Sequence, residues 1–182
     1  MAKQDNHDSE TLQSFVEWLD TSHYDPIYTM CGTAKEQAEK LQQEMQQTAS
    51  QYVTLCKQLI GEIQHYISIK KEQLVPYVHS LSEKDAAGHD CRNCTGTGSC
   101  SLKHDMQLIE INQSHQKIKD IIYRLQMVSL PLYSETIRID LYKILQNQMA
   151  LLENKLAALV LLEETYLVPK ITKAQMNINV HD

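Results

Sequence analysis

Between Gly88 and Asp105 the chain reads "GHDCRNCTGTGSCSLKHD", and this one segment holds three of the five cysteines, two histidines and three of the five glycines. The pattern Cys91-x-x-Cys94-x5-Cys100-x3-His104 supplies four soft or borderline ligands within fourteen residues. Three thiolates and one imidazole suit a tetrahedral site that selects zinc, and the glycines of "TGTGS" give the backbone freedom to wrap a small ion. His89 is a spare ligand. A closed four-ligand site of this kind is structural, because catalytic zinc keeps one position open. Two other readings of the same residues stay open. The histidines and the start of the following helix would lower a cysteine pKa and make a reactive or sensing thiolate, or the cysteines are incidental to a mobile loop. An iron–sulfur cluster held by the three cysteines with His89 or His104 is a further, less favoured reading.

The rest of the chain must position this segment, and it reads as helix. Apolar or small residues recur at Ile27, Cys31, Ala34, Ala38, Leu41, Met45, Thr48, Tyr52, Leu55 and Leu59, in steps of three and four. A second stripe runs Leu108, Ile111, His115, Ile118, Ile122, Leu125, and a third runs Ile137, Leu141, Leu145, Gln148, Leu152, Leu156, Leu159. No stretch alternates with period two long enough for a strand. Cys31 and Cys56 fall singly on apolar faces and read as buried, inert thiols. Pro76, Pro131 and Pro169 read as helix boundaries, with Ser134 able to cap the helix after Pro131. Pro26 suggests that a short leading helix, about residues 10–19, breaks or kinks there.

A weak internal repeat organises these helices. "DTSHYDPIYTM" around His23 resembles "NQSHQKIKDII" around His115, and "KEQLVPYV" resembles "ETYLVPKI", at offsets of 92 and 93 residues. The expected architecture is all-α: a four-helix up-and-down bundle of two helical hairpins joined by a long Cys-rich crossover loop. It forms a single domain over residues 1–182, with residues 1–8 disordered, 80–101 the loop and 172–182 a tail. The first hairpin must turn near Gln46–Ser50, which lacks Gly and Pro. One long helix from Pro26 to about Leu74 is the competing reading, and would give a structural coiled-coil dimer.

The repeat resembles hemerythrin-like, cation-binding bundles, in which a histidine-bearing helix is followed by a helix with a His-x-x-x-Glu-Glu-x-x-Leu-Phe-Pro ending. "EETYLVP" matches that ending with Glu163, Glu164, Leu167 and Pro169, and His115 and His23 stand where the helix histidines are expected. The resemblance implies a pair of irons held by histidines and carboxylates. The departures are specific. Leu159 stands where a histidine belongs, Tyr66 stands at the matching place in the first half with His65 beside it, and Lys70 and Lys71 occupy the carboxylate positions, with Glu72 displaced. The di-iron ligands are therefore largely missing, leaving His115, Glu163, Glu164, His65 and His23 as secondary metal candidates. Away from the resemblance, His115 reads as a core histidine, and one of Glu163 and Glu164 needs a buried cation or donor beside it.

Composition narrows the function classes. A formal charge of −6 and scattered basic residues argue against nucleic acid. The polar, acidic start lacks a secretory signal, and "LAALVLLEETYLVP" is too short and too charged for the roughly 20 residues that span a bilayer, so a cytoplasmic protein without a membrane partner is expected. No catalytic constellation stands out. "TGTGS" lacks the Gly-Lys-Ser/Thr of a phosphate loop, and no nucleophile elbow assembles a triad. The expectation is a metal-binding, sensing or scaffold protein with a zinc site in the loop, acting through a protein partner or as a homodimer. The alternative is a di-iron or thiol-based redox or stress protein.

Overall fold

The computed structural model describes residues 7–45, 50–89, 100–134 and 140–179, and among these it is all-helical. A 3₁₀ turn at His7–Ser9 precedes α1 (Leu12–Leu19), which runs through a π turn (Asp20–Tyr24) into α2 (Asp25–Met45). Next, α3 (Ser50–Ile69) runs through a second π turn (Lys70–Leu74) into α4 (Val75–Ala86). The long α5 (Cys100–Ser134) is followed by α6 (Asp140–Leu162), which passes through a third π turn (Glu163–Leu167) into α7 (Val168–Asn179). The outcome is four long helices, three of them carrying a π turn.

The prolines explain the π turns. A proline has no N–H, and its ring presses on the carbonyl four residues back, so an ordinary α-helix kinks or stops there. Here the turn just before Pro26, Pro76 and Pro169 widens by one residue. The N–H groups of Asp25, Val75 and Val168 reach back five residues to the carbonyls of Asp20, Lys70 and Glu163. Each π acceptor lies six residues before Pro26, Pro76 or Pro169. The helices therefore run past these prolines, where the sequence reading placed boundaries. The fourth proline, Pro131, lies inside α5, which is described as far as Ser134; the expected cap by the Ser134 side chain lies outside the described residues.

Cross-helix bonds give the directions of packing. Lys57 Nζ donates to Gln42 Oε1 at 2.6 Å, Lys71 pairs with Asp20 and Asp25, and His79 lies 4.0 Å from Glu17, so the first two long helices run antiparallel. Antiparallel packing of α2 on α3 excludes the single helix from Pro26 to Leu74; of the turn expected near Gln46–Ser50, residues 46–49 lie outside the described residues. Further packing of α2 on α6, of α3 on α5, and of α4 on α1 and α7 completes a helical bundle. Its core is lined by Ile27, Cys31, Ala34, Ala38 and Leu41 from α2, Leu59, Ile63 and Ile67 from α3, and Leu145, Leu152, Leu156 and Leu159 from α6, all fully buried or nearly so. Burial pushes the Cys31 and Cys56 thiols up to about 12, so both are the inert core thiols expected.

Three boundaries differ from the sequence reading. Helix α4 continues to Ala86, where Gly88, at a φ of +62°, closes it with the Ala87 and Gly88 N–H groups donating to Glu83 and Asp85 carbonyls. Residues 80–86 are thus helix and not loop. The expected tail from residue 172 is helical as far as Asn179, because Ala174 and Ile178 continue the buried stripe. At the other end His7 is buried in the 3₁₀ turn, held by aromatic contacts, so order begins earlier than residue 9.

Candidate functional site

The most concentrated chemistry among the described residues lies in the bundle core, where the second and third π turns meet. Glu163, the first residue of its π turn, is fully buried. Its Oε1 accepts a hydrogen bond from the Tyr24 hydroxyl at 2.7 Å, and its Oε2 accepts from the Tyr66 hydroxyl and from Lys70 Nζ at 3.1 Å. His115 Nε2 lies 2.9 Å from the same oxygen and 2.7 Å from the Tyr66 hydroxyl. Four donors from four different segments thus converge on one carboxylate: Tyr24 from the first π turn, Tyr66 from α3, Lys70 from the second π turn and His115 from α5.

The electrostatics follow from burial. Burial alone would raise the Glu163 carboxyl, but Lys70 and then the His115, Tyr66 and Tyr24 hydrogen bonds outweigh it and hold the group at about 2. Burial pulls Lys70 below the ordinary lysine value against the opposing pull of Glu163, and burial followed by the Glu163 charge raises both phenols. The two partners of the ion pair thus feel opposite net effects: the carboxylate gains from four donors, whereas the ammonium has one charged acceptor and carries the cost of its own dehydration. We describe the pair as ionised, because a neutral acid would leave two phenols and an imidazole without a charged acceptor. The Lys70 ammonium also lies 4.7 Å from the Tyr66 ring centroid, a cation–π contact that offsets part of that dehydration.

Lys70 and Glu163 are equivalent positions of the internal repeat, each six residues before its proline. The lysine that breaks the carboxylate pattern of the first half is the partner of the carboxylate kept in the second. Tyr24 is the member of the network that sequence reading missed. It stands three residues before Ile27 on the apolar stripe, as eligible as His23 at four residues, and only the π turn decides which of the two faces the core.

The other candidates spread outwards. Glu164 is half exposed, with Oε1 3.9 Å from His115 Nδ1 and 3.8 Å from Lys119 Nζ. His115 Nδ1 is buried and has no hydrogen-bond partner. His65 is exposed and lines a cleft of about 80 Å³ between α3 and α5 with Glu62, Tyr66, Glu110 and Lys117. His23 points to a different cluster, its ring 4.8 Å from Trp18, which also meets His7 at 4.4 Å and Phe15 at 5.7 Å. The structure therefore brings His115 and Glu163 together and leaves Glu164 at the edge, with His65 and His23 apart. Among the described residues, no three His, Cys, Asp or Glu side chains converge as a metal ion requires. Cys91 and Cys94 lie outside the described residues, as do the side chains of Cys100 and His104, whose backbone forms the first turns of α5. His89 follows Gly88, its N–H donating to the Lys84 carbonyl at 3.0 Å.

The His23 cluster carries its own prediction. Burial, then Lys155 and His7, lowers its pKa below the ordinary 6.5, and Glu163 opposes weakly. The unfolded chain therefore takes up this proton more readily, so the contribution is intact above pH 6.5 and declines as the pH falls through the lowered value. Trp18 is the sole tryptophan, and its fluorescence should report the change. In a His23→Phe variant the wild-type drop in urea midpoint between pH 7 and pH 5 should shrink, and an equal drop in both proteins would remove His23 as its source.

The fold and its core site define an all-helical bundle with a hydrogen-bonded ion pair at its centre, and no described helix is long and apolar enough to cross a membrane. No family model, curated protein or solved structure matches the chain.

Proposed function

We propose that the chain is a non-catalytic binding protein, a sensor or scaffold, built on a bundle of hemerythrin-like type whose central metal position is taken over by a protein ion pair. In this reading the two halves are helical hairpins, the Cys-rich segment is the crossover between them, and any metal the chain carries is held by Cys91, Cys94, Cys100 and His104. The observation that carries it is the saturation of Glu163. A carboxylate offers about four acceptor positions, and Tyr24, Tyr66, Lys70 and His115 supply four donors. A dication at this place would have to displace the Lys70 ammonium, and Leu159 on the neighbouring turn offers it no ligand. The proline-spaced π turns in both halves support the hairpin repeat independently.

Elemental analysis with an absorbance spectrum, on untagged chain purified without chelator, tests the reading. About one zinc per chain without a visible band is expected for a closed Cys3His site. Cys94→Ser should release that metal and Cys56→Ser should retain it, since Cys56 is a core thiol. Equal metal in both variants removes the loop assignment. About two irons per chain with an oxo-bridge band would overturn the metal-free core and bring forward the redox alternative.

A further inference from the structure

The leading 3₁₀ turn is seated on the bundle by one imidazole. His7 is 5% exposed, whereas Asp8, Ser9 and Glu10 after it are exposed, so a single ring carries the burial of this turn. Three aromatic side chains receive it. The ring centroids of Trp18, Phe15 and Tyr166 lie 4.4, 5.1 and 5.5 Å from that of His7, with Tyr166 meeting it edge-on. Phe15 and Trp18 project from neighbouring turns of α1 and stack at 5.7 Å, and Tyr166, from the third π turn, stands edge-on to Phe15 at 5.9 Å. The walls therefore brace one another, and between them they offer ring faces and edges of the kind that aromatic ligands pack against.

The occupant, by contrast, is tied down by polar bonds near the surface. A carboxylate only accepts, so His7 Nδ1 carries the proton and donates to Glu10 Oε2 at 3.2 Å. Lys170 Nζ donates to the Glu10 and Asp8 carbonyls at 2.7 and 3.4 Å, bridging the turn to α7. Bonds of this type exchange for bonds to water at little net cost. A purely structural plug for three aromatic walls is an apolar side chain, which needs no such ties. His7 instead combines a flat ring that fits the walls with a tether that can let go.

We propose that the Phe15–Trp18–Tyr166 pocket is a binding site for a heteroaromatic ring of the imidazole class, with His7 as its built-in occupant and residues 7–10 as a strap that the ligand displaces. The site is separate from the Cys-rich segment and rests on no metal there. Trp18, the sole tryptophan, reports on it directly. The test is a titration of the full chain with imidazole, followed by Trp18 fluorescence at about pH 8, where imidazole rings are uncharged. A saturable change is expected, with half-saturation in His7→Gly at least roughly 10-fold below wild type, because apparent affinity scales with the fraction of open sites. Lys170→Met, which loosens the strap and leaves the walls intact, should fall between them, and it carries the test if His7→Gly loses helical circular dichroism. Adding Tyr166→Ser to His7→Gly should abolish saturation. Unsaturable quenching in every variant would overturn the site, and so would saturation that survives Tyr166→Ser. Equal half-saturation in wild type and Lys170→Met would overturn the strap, and tetramethylammonium binding as tightly as imidazole would overturn the ligand class.

Discussion

Replacing Lys70 with Met should lower the free energy of unfolding at neutral pH by about 3–5 kcal/mol, the cost of leaving a buried carboxylate without its cation. Few single substitutions in this chain should match it, because Glu163 is fully buried and the two phenols supply hydrogen bonds but no charge. The double variant Lys70→Met with Glu163→Met should recover most of the loss, since a buried ion pair gains little over well-packed apolar residues of similar volume. Urea denaturation of wild type, both single variants and the double variant forms a cycle that isolates the pair. A Lys70→Met cost below about 1 kcal/mol, within the range of exposed pairs, would show that Lys70 does not neutralise Glu163.

The second large effect is acid sensitivity. Glu163 is held at about 2 against an ordinary value of 4.5. A carboxyl lowered on folding adds stability that is complete above the unfolded value and disappears as the pH falls through the folded one. The window therefore runs from about pH 4.5 down to about pH 2, and the lowering corresponds to about 3 kcal/mol. In Glu163→Gln, which keeps the shape but not the charge, this window should vanish. Stability should differ between the two proteins by a constant amount above pH 5 and converge below it, because all other carboxyls are common to both. Parallel curves down to pH 2 would mean that folding leaves the Glu163 carboxyl unshifted, so that its four donors do not favour the charged form.

Much of this arrangement was legible in the sequence, and the limits were physical. Steps of three and four identified the helices, because an apolar face must repeat with the helical turn. One of Glu163 and Glu164 was marked as needing a partner by their place inside "LVLLEETYLV", and burial assigns that need to Glu163. Lys70, in contrast, looked like damage to a metal site. Nothing in a one-dimensional pattern shows that repeat-related positions meet in space, and only the folded bundle turns an anomaly into a complement. Tyr24 was hidden by the π turn, which shifts the inward face by one residue without a mark in the local sequence beyond the proline that follows. The same prolines misled about boundaries, since they end α-helices by default, whereas a widened turn carries the chain past Pro26, Pro76 and Pro169 and Pro131 lies within α5 without one. The reversal of the chain between α2 and α3 was expected from the repeat, and their antiparallel packing agrees with it, although residues 46–49 lie outside the described residues.

The three π turns leave the molecule with an asymmetry between otherwise matching halves. Each half presents the first residue of its Leu-Val-Pro π turn at the centre of the bundle, a cation from one half and an anion from the other. Two copies of the first half would bring lysine against lysine at that point, and two copies of the second would bring carboxylate against carboxylate. Either mispairing buries like charges without compensation, a penalty of several kcal/mol that exchange of hairpins between chains would have to overcome. The central pair is thus complementary within one chain, lysine against carboxylate, and like halves set against each other would lose that complement.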